Sequence, residues 1–129
     1  MPLFARSSVP DPDNSNEPAG LFLVASWVRD RQEATATELA KLETLRDWFN
    51  DNLDLPRRFS RSRRPHRREK AIAWFRDSAL EHVQRAREIA AIVGRYGYPI
   101  RELRTLRPGY VVYEDAFQVI AEPFAETAR

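Results

Sequence analysis

The spacing of apolar residues changes along this chain, and the change constrains the fold more than any other feature. Between Thr35 and Leu53 apolar residues recur every three or four positions, the period of a helix with one buried face. Thr35 and Glu38 form a T-x-x-E capping box at its start. After residue 100 the apolar residues instead fall in short β-branched and aromatic runs. A chain with both patterns predicts a fold that combines helices with a sheet.

The remaining segments give the predicted order of elements. The short apolar run at 21–28 predicts a first strand, and a long helix is predicted from Pro65 to Arg95. Three strands are predicted after it, the last two as a hairpin, at 100–106, 110–114 and 117–122. The order β-α-α-β-β-β predicts an α+β fold, in which a small antiparallel or mixed sheet has two helices packed on one face.

Composition bounds the organisation of the chain and its surroundings. Residues 1–19 contain four prolines among polar residues, which predicts a disordered tail, and 20–129 suffice for a single α+β domain. The chain has no cysteine, which excludes disulfides and indicates a reducing compartment. Its longest apolar run, 20–28, is far shorter than the roughly 20 residues that a membrane span needs. We expect a cytoplasmic, bacterial protein that does not engage membranes.

Positive charge is concentrated in Arg57–Lys70, the basic segment. The segment carries +7 while the whole chain carries +2, so the remainder sums to −5. Crowded like charges repel each other, and Pro65 places them at a predicted helix start, whose N–H groups also attract anions. The sequence therefore predicts an anion or nucleic-acid site. Its residues are Arg57, Arg58, Phe59, Arg61, Arg63, Arg64, His66, Arg67 and Arg68.

The basic segment is compatible with several functions. The first is binding of nucleic acid or another polyanion, with Phe59 able to stack on a base. The second is a protein-interaction module or homodimer with no nucleic-acid role, in which the segment meets an acidic protein partner. The third is a metal-independent ribonuclease with His66 as its general base. A solvated loop, neutralised by acids of the chain such as Asp47 and Asp51, requires no ligand at all.

Other candidates for chemistry have structural explanations. The sequence contains no complete catalytic, cofactor or metal motif, so we predict no catalytic residue, cofactor or metal, and favour a non-enzymatic role. The two histidines are 16 residues apart, and His82 is predicted to be structural. The acids between 77 and 88 are explained by a salt-bridged helix face. Trp27, Trp48 and Trp74 are predicted at the rim of the core.

Overall fold

The protein is α+β, as its sequence predicts. The computed structural model describes residues 3–9, 19–54, 71–125 and 127. Within these ranges the elements are β1 (Phe4–Val9), β2 (Ala19–Gly20), α1 (Leu21–Asp30), α2 (Ala36–Asn52), β3 (Ile72–Arg76), α3 (Leu80–Val93), a 3₁₀ turn (Gly94–Tyr96), β4 (Arg101–Thr105), β5 (Tyr110–Glu114) and β6 (Gln118–Glu122). None of the helices in the described ranges is long and apolar enough to cross a lipid bilayer.

The described residues group into two compact units. The sheet unit comprises 3–6, 54, 71–83, 103–125 and 127, and the helical unit comprises 7–9, 19–53 and 84–102. Each unit is therefore built from several separate stretches of the chain. The assignment of 20–129 to one domain stays a prediction.

Strand β3 lies between β1 and β6 in the sheet unit. β1 pairs with it in antiparallel fashion, with Phe4 opposite Arg76, and β6 does so with Val119 opposite Trp74. β5 pairs antiparallel with β6, and the register of that pair shifts between Val111/Tyr113. β4 pairs with β1. The antiparallel arrangement agrees with the predicted fold class.

One side of these strands forms an apolar cluster, because successive side chains of a strand point to opposite faces of the sheet. Trp74 is only 1% exposed and is the largest side chain of the cluster. The other buried members are Phe4, Val119 and Ala121, with Ile72, Leu103 and Val111 packed against them. Trp74 is therefore a core residue, and its predicted place at the rim of the core is wrong.

The predicted hairpin is confirmed, and Asp115 explains its turn. The Asp115 carboxylate accepts hydrogen bonds from the backbone N–H groups of Phe117 at 2.8 Å and Gln118 at 3.0 Å, and from the Tyr113 hydroxyl at 3.1 Å. Burial alone would raise the pKa of Asp115, but these bonds outweigh it and lower that pKa. The turn thus satisfies its own backbone donors, as aspartate does in many tight turns.

Helix α2 is confirmed with the predicted start. The backbone N–H of Glu38 donates to the Thr35 hydroxyl at 3.2 Å, and the backbone N–H of Thr35 donates to the Glu38 carboxylate at 3.2 Å. This is the reciprocal capping box that the sequence indicates. The helix buries the side chains Leu42, Leu45 and Phe49.

The Glu38 carboxylate also binds two residues of the 3₁₀ turn. It accepts a hydrogen bond from the Tyr96 hydroxyl, and Arg95 pairs with it at 2.9 Å. The bond from Tyr96, then that from the Thr35 backbone, and the contact with Arg95 lower the pKa of Glu38 to about 2. A single carboxylate therefore caps α2 and fixes a distant turn of the same unit.

Residues 21–28 form helix α1, so the strand predicted there is wrong. The buried residues Leu21, Val24 and Val28 are three and four positions apart, which is helical spacing. Phe22 and Leu23 between them are 42% and 52% exposed. Because nearly every position in the run is apolar, the helical period is hidden in the sequence.

The long helix predicted from Pro65 is wrong over 72–76, which form β3. The helix that does follow, α3, begins at Leu80. Pairing with β1 and β6 supplies hydrogen bonds to both edges of β3, and local residue patterns cannot reveal partners that lie so far away in sequence. The predicted helix start at Pro65 lies outside the described residues.

Residues 4–9 form strand β1, although composition placed them in a disordered tail. The strand has a partner in β3, so its backbone groups are satisfied in the sheet. Phe4 contributes its ring to the apolar cluster and is 6% exposed. Residues 10–18 lie outside the described residues.

Candidate functional site

The anion site predicted from the sequence lies outside the part of the chain that the structure describes. That holds for Arg57, Arg58, Phe59, Arg61, Arg63, Arg64, His66, Arg67 and Arg68. Their role in binding nucleic acid or another anion therefore stays a prediction, and the ribonuclease hypothesis based on His66 does so too.

His82 has the structural role that the sequence predicts. Its ring is buried, stacks on Phe117 with 4.5 Å between ring centroids, and lies 5.9 Å from Phe75. Asp77 precedes α3, so its predicted place on a shared helix face is wrong; it pairs with Arg104 at 3.5 Å, and Glu88 on α3 pairs with Lys41 at 3.6 Å. Across the described ranges, no group of three or more possible ligands could hold a metal ion.

A different candidate emerges in the sheet unit, where β1 and β3 place Arg6 beside Trp74. Phe4 pairs with Arg76 and Ala5 with Phe75, and this register, continued by one residue, would bring Arg6 opposite Trp74. Opposite residues of an antiparallel pair share a face, with their Cβ atoms about 5 Å apart. Arg6 therefore projects from the face that carries the apolar cluster.

Arg6 and Trp74 each hold a buried nitrogen donor without an acceptor. Among the described residues, no oxygen accepts from Arg6 Nε or from Trp74 Nε1. Burial also lowers the pKa of the Arg6 guanidinium to about 10, because a low-dielectric surrounding disfavours the charged form. Folded proteins leave few buried donors unpaired, and two on neighbouring strands indicate a shared requirement for an acceptor.

Arg76, on the same strand pair, is an arginine whose donors have partners within the protein. Its Nε donates to the Asp115 carbonyl at 2.8 Å, and its terminal nitrogen pairs with Glu114 at 3.0 Å. Its guanidinium also lies 5.9 Å from the centre of the Phe4 ring. Within the described residues, Arg6 has no ion pair or hydrogen bond of this kind.

Sequence reasoning missed Arg6 and Trp74 for one shared reason. Composition places Arg6 in a tail and the residue pattern places Trp74 in a helix, so the sequence does not put them on adjacent strands. The available signal was the alternation in Phe4–Val9, where an arginine occupies a position on the same side as Phe4. An arginine on the inward side of a strand is unusual, because arginine is seldom buried unless it is paired.

The helical unit contains a cavity of about 380 Å³ lined by residues of α1 and α2. Phe22 and Leu23 line it from α1, and Phe49 lines it from α2. The rings of Phe22 and Phe49 meet edge to face, with 4.9 Å between centroids. Arg29 and Arg46 add two positive charges and Glu43 adds one negative charge. The cavity is thus mainly apolar, with no concentration of either charge.

Known proteins give no further guide to these sites. Comparison with protein-family models, curated proteins and solved structures finds no match to this chain. The chemistry of the residues themselves therefore carries the functional interpretation.

Proposed function

We propose that the protein binds nucleic acid or another polyanion through the basic segment Arg57–Lys70. The observation that carries the proposal is the separation of charge: +7 in these 14 residues against −5 in the remainder. Phosphate backbones bind such clusters by releasing condensed counterions, with no need for a catalytic residue. We further propose a non-enzymatic role in a bacterial cytoplasm; of these, the absence of cysteine supports only the reducing compartment.

The charges outside the basic segment do not fully balance it, although many of them pair with one another. Glu38, Glu102 and Glu114 each bind an arginine of the described part at 2.8 to 3.0 Å. Asp77 and Glu88 have cationic partners as well. Each pair uses one acid and one cation, so the surplus of five acids outside the segment is unchanged; it is smaller than the +7 of the segment, and a polyanion would supply the missing negative charge.

The proposal is tested by fluorescence anisotropy with short labelled RNA and DNA at low salt. Four to seven phosphate contacts predict that log K falls against log salt with a slope of roughly −4 to −6. The test variant changes four arginines of the segment to alanine, and we expect it to lose binding. Those positions are Arg63, Arg64, Arg67 and Arg68.

A charge-matched control separates the segment from general electrostatics. It removes four exposed arginines elsewhere, at Arg46, Arg87, Arg101 and Arg104. We expect this control to bind more weakly than the wild type but far more tightly than the segment variant. Equal losses in the two variants, or no binding by the wild type at low salt, would refute the proposal.

A protein-interaction role is the second candidate, and the exposed side chains of α1 favour it. Phe22 and Leu23 are adjacent, large, apolar, and 42% and 52% exposed beside the cavity. If they form an interface, Leu23→Glu should abolish a dimer or the capture of a partner, while Leu80→Glu in the sheet unit should not. A wild type that remains a monomer in light scattering and captures no protein would exclude this role.

A further inference from the structure

We propose that Arg6 and Trp74 form a discrete binding site for one oxyanion group, a carboxylate or a phosphate. The site is separate in sequence from the basic segment and does not depend on it. Its two donors are Arg6 Nε and Trp74 Nε1, which project from neighbouring strands on one face of the sheet unit.

The donors define the chemistry of the ligand. An indole N–H can only donate, and a guanidinium group can only donate and always carries a positive charge. Both groups therefore require an acceptor, and the charge of Arg6 favours an anionic one over a neutral carbonyl or water. The fork of a guanidinium group matches two oxygens of a carboxylate or phosphate, and the indole can then bond a further lone pair.

Burial determines how strongly the donors would bind such a ligand. Trp74 is 1% exposed and its Nε1 is enclosed, so a hydrogen bond made there is shielded from competing water. Arg6 is only partly buried as a residue, so part of its side chain faces solvent, while its Nε is enclosed as Trp74 Nε1 is. Phe4 and Val119 belong to the same apolar cluster as Trp74, so apolar side chains pack around the indole. The site therefore suits one small anionic group better than an extended chain.

The contrast with Arg76 indicates that the arrangement of Arg6 is specific. On the same strand pair, Arg76 has a carboxylate and a carbonyl within 3.0 Å. Glu114 pairs with Arg76 at 3.0 Å and so satisfies that arginine instead. Among the described residues, the fold provides an internal anion for Arg76 and none for Arg6.

The experiment follows the indole N–H resonances of the ¹⁵N-labelled full chain. The protein has three tryptophans, so three indole signals are expected, and Trp74→Phe identifies the signal of Trp74. Inorganic phosphate and acetate are titrated separately at constant ionic strength maintained with sodium chloride. We expect the Trp74 signal to move and saturate with at least one anion, while those of Trp27 and Trp48 stay. If the signal moves with only one of the two anions, that anion identifies the group that is bound.

Variants decide whether Arg6 carries the effect. Arg6→Met should abolish the saturable movement, and Arg6→Lys, which keeps the charge but loses the fork, should weaken binding about tenfold. Arg46→Met, at an exposed position, should bind as the wild type does, and so should the four-arginine variant of the basic segment. An unmoved Trp74 signal, or an equal response in Arg6→Met and Arg6→Lys, would overturn the proposal.

Discussion

Replacing Arg6 by methionine should stabilise the protein in a buffer without phosphate or carboxylates. Burial lowers the pKa of the Arg6 guanidinium to about 10, roughly two and a half pH units below its ordinary value. At 1.36 kcal/mol per pH unit, holding the proton at neutral pH costs about 3 kcal/mol. Methionine retains the aliphatic stem and removes the charge. Because Arg6 is partly exposed, we expect a gain of about 1 to 2 kcal/mol, within the range seen when buried ionic groups are replaced by apolar ones.

The assay is urea unfolding at pH 7 in chloride buffer, followed by tryptophan fluorescence and by circular dichroism. Agreement of the two probes would support a two-state analysis, and equal slopes would allow the midpoints to be compared directly. Arg46→Met serves as the matched control, since Arg46 is exposed and its replacement should change the free energy of unfolding by less than about 0.5 kcal/mol.

The result that would refute this reasoning is a lower stability of Arg6→Met than of Arg46→Met. Such a loss would mean that other interactions in the folded protein offset the cost of burying the guanidinium charge. With saturating amounts of the bound anion, the wild type should become more stable than Arg6→Met. A ligand that binds only the folded wild type adds RT ln(1 + [L]/Kd) to its free energy of unfolding.

Three further predictions concern stability. Gly109→Ala should cost on the order of 3 kcal/mol in urea unfolding, since its Cβ would lie 2.1 Å from a backbone oxygen and its φ is +140°, whereas Gly94→Ala, with open space around it, should be nearly neutral. Thr35→Ala should cost about 1 kcal/mol through loss of the cap of α2, and Thr35→Ser should restore most of it; equal losses would contradict the capping role. Because folding lowers the pKa of Glu38 to about 2, its contribution is complete above about pH 5 and is lost as the pH falls towards 2, so the midpoints of wild type and Glu38→Gln should converge over that interval. A difference that is constant with pH would contradict the ionic role of Glu38.

The parts of the fold that were predicted correctly depend on local interactions. Thr35 and Glu38 are three residues apart and bond to each other, so four consecutive residues are enough to predict the start of α2. The hairpin is similar, because the turn acceptor Asp115 and its donors are adjacent in sequence. β4 at Arg101–Thr105 also agrees with its predicted position.

The parts that were predicted wrongly depend on distant partners. Ile72–Arg76 fits a helical pattern as well as a strand, and only pairing with β1 and β6 decides between them. The same pairing gives structure to Phe4–Val9, and α1 was missed because nearly all of its residues are apolar. Arg6 and Trp74 lie on two of these wrongly predicted segments. Their proximity therefore cannot be predicted without knowing the pairing of the sheet.

The irregular pairing of β5 and β6 has a consequence for how the protein behaves at high concentration. Within the described residues, β5 is the last strand in the order β1-β3-β6-β5, and its sequence YVVYE has a strong tendency to form strands. An outer edge of this kind is a template on which other chains can add strands and aggregate. The register shift between Val111/Tyr113 interrupts the regular row of outward N–H and C=O groups and twists the strand locally. A strand that added to this edge could therefore not stay in register along its whole length, and we expect the shift to disfavour edge-to-edge aggregation.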